Sequence, residues 1–185
     1  MQTNRGVTLV ELIICLAIAS IILSATATSF SSIRESGRGT AALNWILGSV
    51  VYARHAAIVR NQMVTLCPGP KSNGCGGKWH DQLIVFTDAN GNRKIDGADE
   101  ILEIFRYPAP GSTLKWRAFQ NKQYLQMTAE GFTNYQNGNF VYCPASGDVR
   151  QAKQLVINIQ GRARVSSDID GDGIVEDAKG KDLTC

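Results

Sequence analysis

The chain contains no Cys-x-x-Cys pair, and its only two histidines, His55 and His80, stand far apart. Structural zinc needs four closely spaced nitrogen or sulfur ligands, so the cysteines do not read as a zinc set. No serine, histidine and aspartate are placed together by sequence, so no enzyme is visible. There is no internal repeat and no long low-complexity tract. Net charge is only +3, too mild to mark a nucleic-acid binder by composition alone. Charge is entirely missing from Leu12 to Ile33. At a rise of 1.5 Å per residue that run extends about 33 Å as a helix, enough to cross a bilayer core of about 30 Å. All five prolines follow it, in a polar remainder.

The apolar run does not read as an ordinary secretory signal. It follows a polar start, Met1 to Gly6, whose one charge is Arg5, and no Ala-x-Ala site is followed by a convincing mature start. The residues describe a transmembrane helix with a very short cytoplasmic flank, and Arg5 agrees with the positive-inside rule. Glu11, at the edge of the run, is costly to bury without a partner. It is either a headgroup-level residue or a functional carboxylate.

Arg5-Gly6-Val7-Thr8-Leu9-Val10-Glu11-Leu12 resembles the processing site of type IV prepilins and type II secretion pseudopilins. The resemblance implies cleavage after Gly6 by a prepilin peptidase and methylation of Val7, the new first residue. The family more often begins with Phe or Met. It further implies that Glu11 pairs with the terminal amine of a neighbouring subunit, and paired charges are tolerated where lone ones are not.

Ser29 to Thr40 carries serines, Gly37 and Gly39, which weaken helix propensity and predict a bend or local melting there. Leu43, Ile46, Leu47, Val50, Val51, Ala53 and Ile58 then predict one face of a helix ending near Arg60, packed on a sheet. Strands are expected at Met63–Cys67, Gln82–Thr87, Ile101–Arg106, Thr113–Trp116, Asn139–Cys143 and Gln154–Ile159, with a short one at Arg162–Val165. One helix followed by strands predicts an α+β fold with an antiparallel sheet. Trp45, Trp79, Trp116, Phe86 and Phe105 read as core rather than as a stacking platform. The expected divisions are 1–6 (cleaved leader), 7–33 (transmembrane and filament-core helix), 34–60 (second half of the helix) and 61–185 (β-rich head). Four cysteines in that head, Cys67, Cys75, Cys143 and Cys185, predict two disulfides in an oxidising compartment. Three connectivities exist; the favoured one closes a short Cys67–Cys75 loop and ties the C-terminus down through Cys143–Cys185.

Ala53-Arg54, Ala57, Arg60-Asn61, Val64 and Leu66-Cys67-Pro68, with Cys75 and Trp79 beyond, are similar to the GspH/FimT/FimU branch of minor pilins and pseudopilins. So is Val85-Phe86-Thr87-Asp88-Ala89-Asn90-Gly91-Asn92, followed by Asp96, Asp99-Glu100 and Leu102.

Two acidic segments are candidate calcium loops. Asp88, Asn90, Asn92, Asp96 and Asp99 have the oxygen spacing, but Arg93 stands where such loops use glycine, and Asx turns between strands are the preferred reading. In the second, Asp168, Asp170 and Asp172 alternate, Gly173 is sixth, the Ile174 carbonyl seventh and Glu176 ninth. Lys179 occupies the twelfth position, leaving Asp177 as a replacement. That segment is a calcium site or a solvated acidic turn. Apart from calcium, no cofactor is expected.

Gly161-Arg162-Ala163-Arg164 puts two guanidinia on one face of an extended segment, with Arg150 and Lys153 shortly before it. Paired arginines suit phosphate oxygens. The pattern is similar to one implicated in DNA binding by FimT-type minor pilins; the other reading is a strand edge guarded by charge.

The resemblance as a whole implies a non-catalytic minor pilin of a type IV pilus. It would sit in the inner membrane as a single-pass protein with a periplasmic head. It would then join a filament beside other minor and major pilins, at or near the tip. Double-stranded DNA is a further expected partner, in natural transformation. The alternative is a minor pseudopilin of type II secretion, acting in protein export.

Overall fold

The computed structural model describes residues 6–69 and 73–185, with the backbone alone for 25–31; the leader residues 1–5, including Arg5, lie outside it. Two compact units meet between Gly37 and Arg38.

Helix α1 runs Leu9–Arg60. Its start is fixed by Thr8, whose Oγ1 accepts from the Glu11 N–H at 3.3 Å while its carbonyl takes the first helical bond from Leu12. Its end is a left-handed turn at Asn61 (φ 51°), where Asn61 N–H donates to Ile58 O and Gln62 N–H to Ala57 O, both at 3.2 Å. The local melting predicted between Ser29 and Thr40 is absent: that stretch is helical. An interior glycine costs only about 1 kcal/mol, which tertiary packing overrides. Gly39 is explained by closeness instead, since a Cβ there would stand 3.0 Å from both Lys153 Cε and Tyr142 Cε1.

Ile46, Val50, Ala53 and Ala57 form the helix's core stripe. At 100° per residue, Val51 and Ile58 lie about 140° and 120° round from Ile46. Both were expected on the buried face, and both are exposed, at 55% and 47%.

The head holds two four-stranded antiparallel sheets rather than one. The first orders β3 (Ile101–Arg106), β2 (Gln82–Thr87), β1 (Val64–Pro68) and β5 (Leu125–Met127). The second orders β4 (Thr113–Ala118), β6 (Gly138–Cys143), β7 (Lys153–Ile157) and β8 (Ala163–Val165). Both contribute to one core with the helix stripe: Leu66, Leu83 and Val85 from the first, Trp116, Phe140, Leu155 and Ile157 from the second. The expected core aromatics Trp79 and Trp116 crowd Phe140, with ring centroids 4.9 and 4.3 Å away. The fold is α+β, an apolar N-terminal helix packed on antiparallel sheets.

Both disulfides of the favoured pairing are present: Cys67–Cys75 with Cα atoms 5.5 Å apart, and Cys143–Cys185 at 5.6 Å. The second anchors the C-terminal segment, whose Val175 and Leu183 pack on Val141 and Cys143 across the outer face of the second sheet.

Candidate functional site

Gly6 and Val7 precede the helix in exposed, non-helical backbone. Glu11 stands in the first turn of α1, three residues after its capping threonine, where a carboxylate complements the helix dipole. Around and beyond it Leu9, Val10, Leu12, Ile13, Ile14, Leu16, Ile18 and Ile21 to Leu23 are all more than half exposed. A helix apolar all round needs an apolar surrounding, and this one carries a single acid at its start.

The second candidate site is the edge of the second sheet. Strand β8 pairs with β7 through Leu155↔Val165, Val156↔Arg164 and Ile157↔Ala163, so Ala163 and Val165 share the core-side parity and Arg164 the outer one. Register then lines up Arg164, Val156, Asn139 and Arg117 across four strands of the outer face. Three inter-strand steps put the two arginine positions about 14 Å apart. The turn before β8 is closed by Gly161 N–H to Asn158 O at 3.0 Å and by Arg162 N–H to Asn158 Oδ1 at 2.9 Å. Gly161 has φ 69° there, and a Cβ would lie 2.8 Å from the Gly131 carbonyl. The glycine of the motif is therefore required by packing.

The structure divides the four basic residues grouped by sequence. Arg162 and Arg164 share the exposed β8 edge. Lys153 pairs with core-facing Tyr142, and its side chain lies beside Gly39 of the helix, on the opposite face. Alternation along β7 separates it from Arg164. Arg150 sits in the 3-10 turn Val149–Gln151 that precedes β7, capped by Asp148. Arg117 joins the arginine row from β4, a pairing that only strand register reveals.

Of the five ligands proposed for the second acidic segment, three carboxylates converge: Asp168, Asp170 and Glu176 hold oxygens within 4.8 Å of one another. Glu176 is 5% exposed and accepts the N–H groups of Ile169 and Asp170. Asp168 accepts from Gly171 and Gly173 at 2.7 and 2.9 Å. A calcium ion takes six to eight oxygens at short range, and this trio gathers hard donors of that kind. Asp172 lies outside the trio and caps Ile174 N–H at 2.7 Å. Asp177 is spent on a turn: the N–H groups of Lys179 and Lys181 donate to it at 2.7 and 3.1 Å and hold its carboxyl below the ordinary value.

The first acidic segment is a set of Asx turns. Asn90 Oδ1 accepts from Asn92 N–H and Asn92 Oδ1 from Lys94 N–H, while Asn90 and Asn92 donate to Asp96 and Asp96 N–H donates to Asp99. Asp88 is fully buried: its Oδ2 accepts from Thr65 Oγ1 at 2.6 Å, Gln126 Nε2 at 2.9 Å and Arg93 N–H at 3.1 Å. Asp88 thus ties β1, β5 and the loop together.

Residues 42–161 match the family described as Type II transport protein GspH, and residues 1–27 match the prokaryotic N-terminal methylation motif. The chain belongs to the GspH family. It is a pilin-like protein, of the branch that holds minor pilins and pseudopilins. No curated protein sequence matches it. Among solved structures, the GspH-family chain is similar to the type IV minor pilin FimU of Pseudomonas aeruginosa, with a TM-score of 0.55 and 20% identity over 75% of this chain and 92% of that one. It also resembles the minor pseudopilin EpsH of the Vibrio cholerae type 2 secretion system, at TM-score 0.47 and 10% identity over 69% of this chain and 95% of that one. The methylation motif and the apolar helix behind it point to membrane anchoring.

Proposed function

We propose that this chain is a minor pilin of a type IV pilus, structural rather than catalytic, whose head contacts double-stranded DNA. In this reading prepilin peptidase cuts after Gly6 and Val7 becomes the methylated first residue. The exposed apolar half of α1 sits in the inner membrane with the head in the periplasm. It then trades lipid for neighbouring pilin helices in the filament, where Glu11 pairs with another subunit's terminal amine and fixes register. The single observation that carries the reading is this helix half, apolar on all sides and bearing one carboxylate in its first turn.

DNA contact is supported by the arginine row Arg164 to Arg117 and by Arg162 at the exposed turn. Calcium at Asp168, Asp170 and Glu176 would neutralise the acid that follows β8 and ease the approach of phosphate. Duplex DNA is titrated onto the full chain in uncharged detergent, across a salt series, with and without calcium. The reading expects log-linear weakening with salt, a shallower slope and lower affinity in Arg162→Ala/Arg164→Ala, and tighter binding with calcium. Absence of binding at low salt removes DNA from the function.

A type II secretion pseudopilin is the second reading, favoured by the description of the matching family. Deleting the gene separates them: lost piliation supports the first, and retained piliation with blocked protein export supports the second.

A further inference from the structure

A cavity of about 790 Å³ opens in the head between residues 73–77, the loop after β2 and the turn before β5. Arg93, Lys94 and Lys122 line it, and none of its thirteen lining residues is acidic. Asn73, Asn121 and Gln123 add amides, each able to donate and accept in one plane. A cavity of this volume suits a ligand of two or three sugar rings.

The cationic wall is held in place. Cys75 N–H donates to Arg93 O and Ile95 N–H to Asn73 O, which stitches the disulfide loop to the loop after β2. Arg93 has φ 64°, a conformation that a long side chain adopts only under constraint, and buried Asp88 supplies it by accepting the Arg93 N–H at 3.1 Å. Its guanidinium lies 5.1 Å from the centre of the Tyr124 ring and donates to Tyr124 Oη at 3.3 Å. Asn121, on the opposite wall, is also left-handed, at φ 54°, as is Gln120 just before it, at 59°. Strain gathered round one cavity is a mark of a binding site. Gln123 Nε2 donates to Asn121 Oδ1 at 3.2 Å, which orients both amides.

Three positive charges select an anion. The choice among anions follows from the rest of the lining. Double-stranded DNA is too thick to enter a concave cleft of this size. A single strand would need aromatic faces for its bases, yet the one lining aromatic, Tyr124, has its face taken by Arg93. Amides beside cations fit vicinal hydroxyls beside carboxylates. A second cavity of about 350 Å³, lined by Lys78, Lys115 and Arg117 among others, shares Gly77 and Gln123 with the first, so the cationic path continues along β4 for a longer chain.

We propose that this cavity is a binding site for acidic oligosaccharide, a chain of carboxylated sugars whose carboxylates meet Arg93, Lys94 and Lys122 and whose hydroxyls meet Asn73, Asn121 and Gln123. The cavity itself includes neither Arg162 nor Arg164, and only its continuation along β4 reaches Arg117 of the arginine row.

The test is a titration of trigalacturonic acid onto the full chain in a sugar-free, uncharged detergent. A neutral galactose trimer and a single-stranded oligonucleotide of similar charge are the controls. The expected result is saturable binding of the acidic trimer only. Lys122→Gln, at the half-buried residue that follows the 3-10 turn Phe119–Asn121, should weaken it roughly threefold, and Arg93→Asn/Lys122→Gln roughly tenfold or more. Asparagine tolerates the left-handed backbone at position 93, and Lys122→Gln alone covers the case in which the double variant melts. Arg162→Ala/Arg164→Ala should leave trimer binding unchanged while lowering duplex DNA binding. No saturation, equal binding of the neutral trimer or the oligonucleotide, indifference to Lys122→Gln, or loss in the Arg162→Ala/Arg164→Ala variant would each overturn the proposal.

Discussion

Two stretches of one helix, residues 9–24 and 42–57, are similarly rich in apolar side chains and differ in what covers them. In the second, Ile46, Val50, Ala53 and Ala57 are buried by two sheets, and Val51 takes the outward face. In the first, exposure is all round: Leu16 is 62% and Ile21 68% accessible. By length and mean hydropathy alone, Ser32–Arg60 is apolar enough to cross a membrane, although 44% of its apolar 18-residue window is buried. Hydropathy therefore does not assign a solvent. What distinguishes the halves is a missing cover, and the functional reading follows from asking what supplies it.

That contrast can be broken by experiment, most severely through the cross-link that ties the C-terminal segment to the second sheet. Removing Cys143–Cys185 by paired serine substitution should cost the head about 4 kcal/mol, from a closed loop of 42 residues. Cys67–Cys75, with a separation of 8, should cost about 2.5 kcal/mol. Thermal unfolding of the full chain in detergent reads both, and neither should alter membrane association.

The direct comparison of the halves comes next. Ile46→Ala leaves a cavity in the core and should cost about 3 kcal/mol, whereas Leu16→Ala should leave head stability unchanged within about 0.5 kcal/mol. Equal losses in the two variants would mean that the first half is also covered by the head.

The smallest effect is a pH dependence confined to the head. Burial pushes the Tyr107 hydroxyl up to about 12 against an ordinary value near 10; the bond to Ser112 opposes this, and the Tyr142 hydroxyl adds to it. The raised value means that folding favours the neutral phenol. Its contribution is complete below about pH 10 and is lost as pH rises through about 12. Stability should fall across that window, and more shallowly in Tyr107→Phe.

Much of this was legible in the sequence. All seven expected strands lie within two residues of those found, because short apolar, β-prone runs between turn-formers are a strong local signal. Strand β5 gave none: Leu125-Gln126-Met127 is too short for a period of two, and its central Gln126 is buried against Asp88. The expected melting of the helix failed because Gly39 answers to a neighbour 3.0 Å away rather than to its own propensity. At the β8 edge, Arg162 and Arg164 were readable as a pair. Their separation from Lys153 and alignment with Arg117 depend on register between strands that are distant in sequence. The Arg93 cavity was likewise invisible, since its walls come from three loops that no spacing rule connects.

The most direct test of the central claim, that the uncovered helix half is the device for joining a filament, is the recovery of Glu11→Ala in sheared filaments from cells. Mass spectrometry of the N-terminal peptide confirms maturation at Val7. The account predicts a matured variant that melts like the wild type and stays in the membrane fraction, absent from filaments. Incorporation at the wild-type level would contradict it.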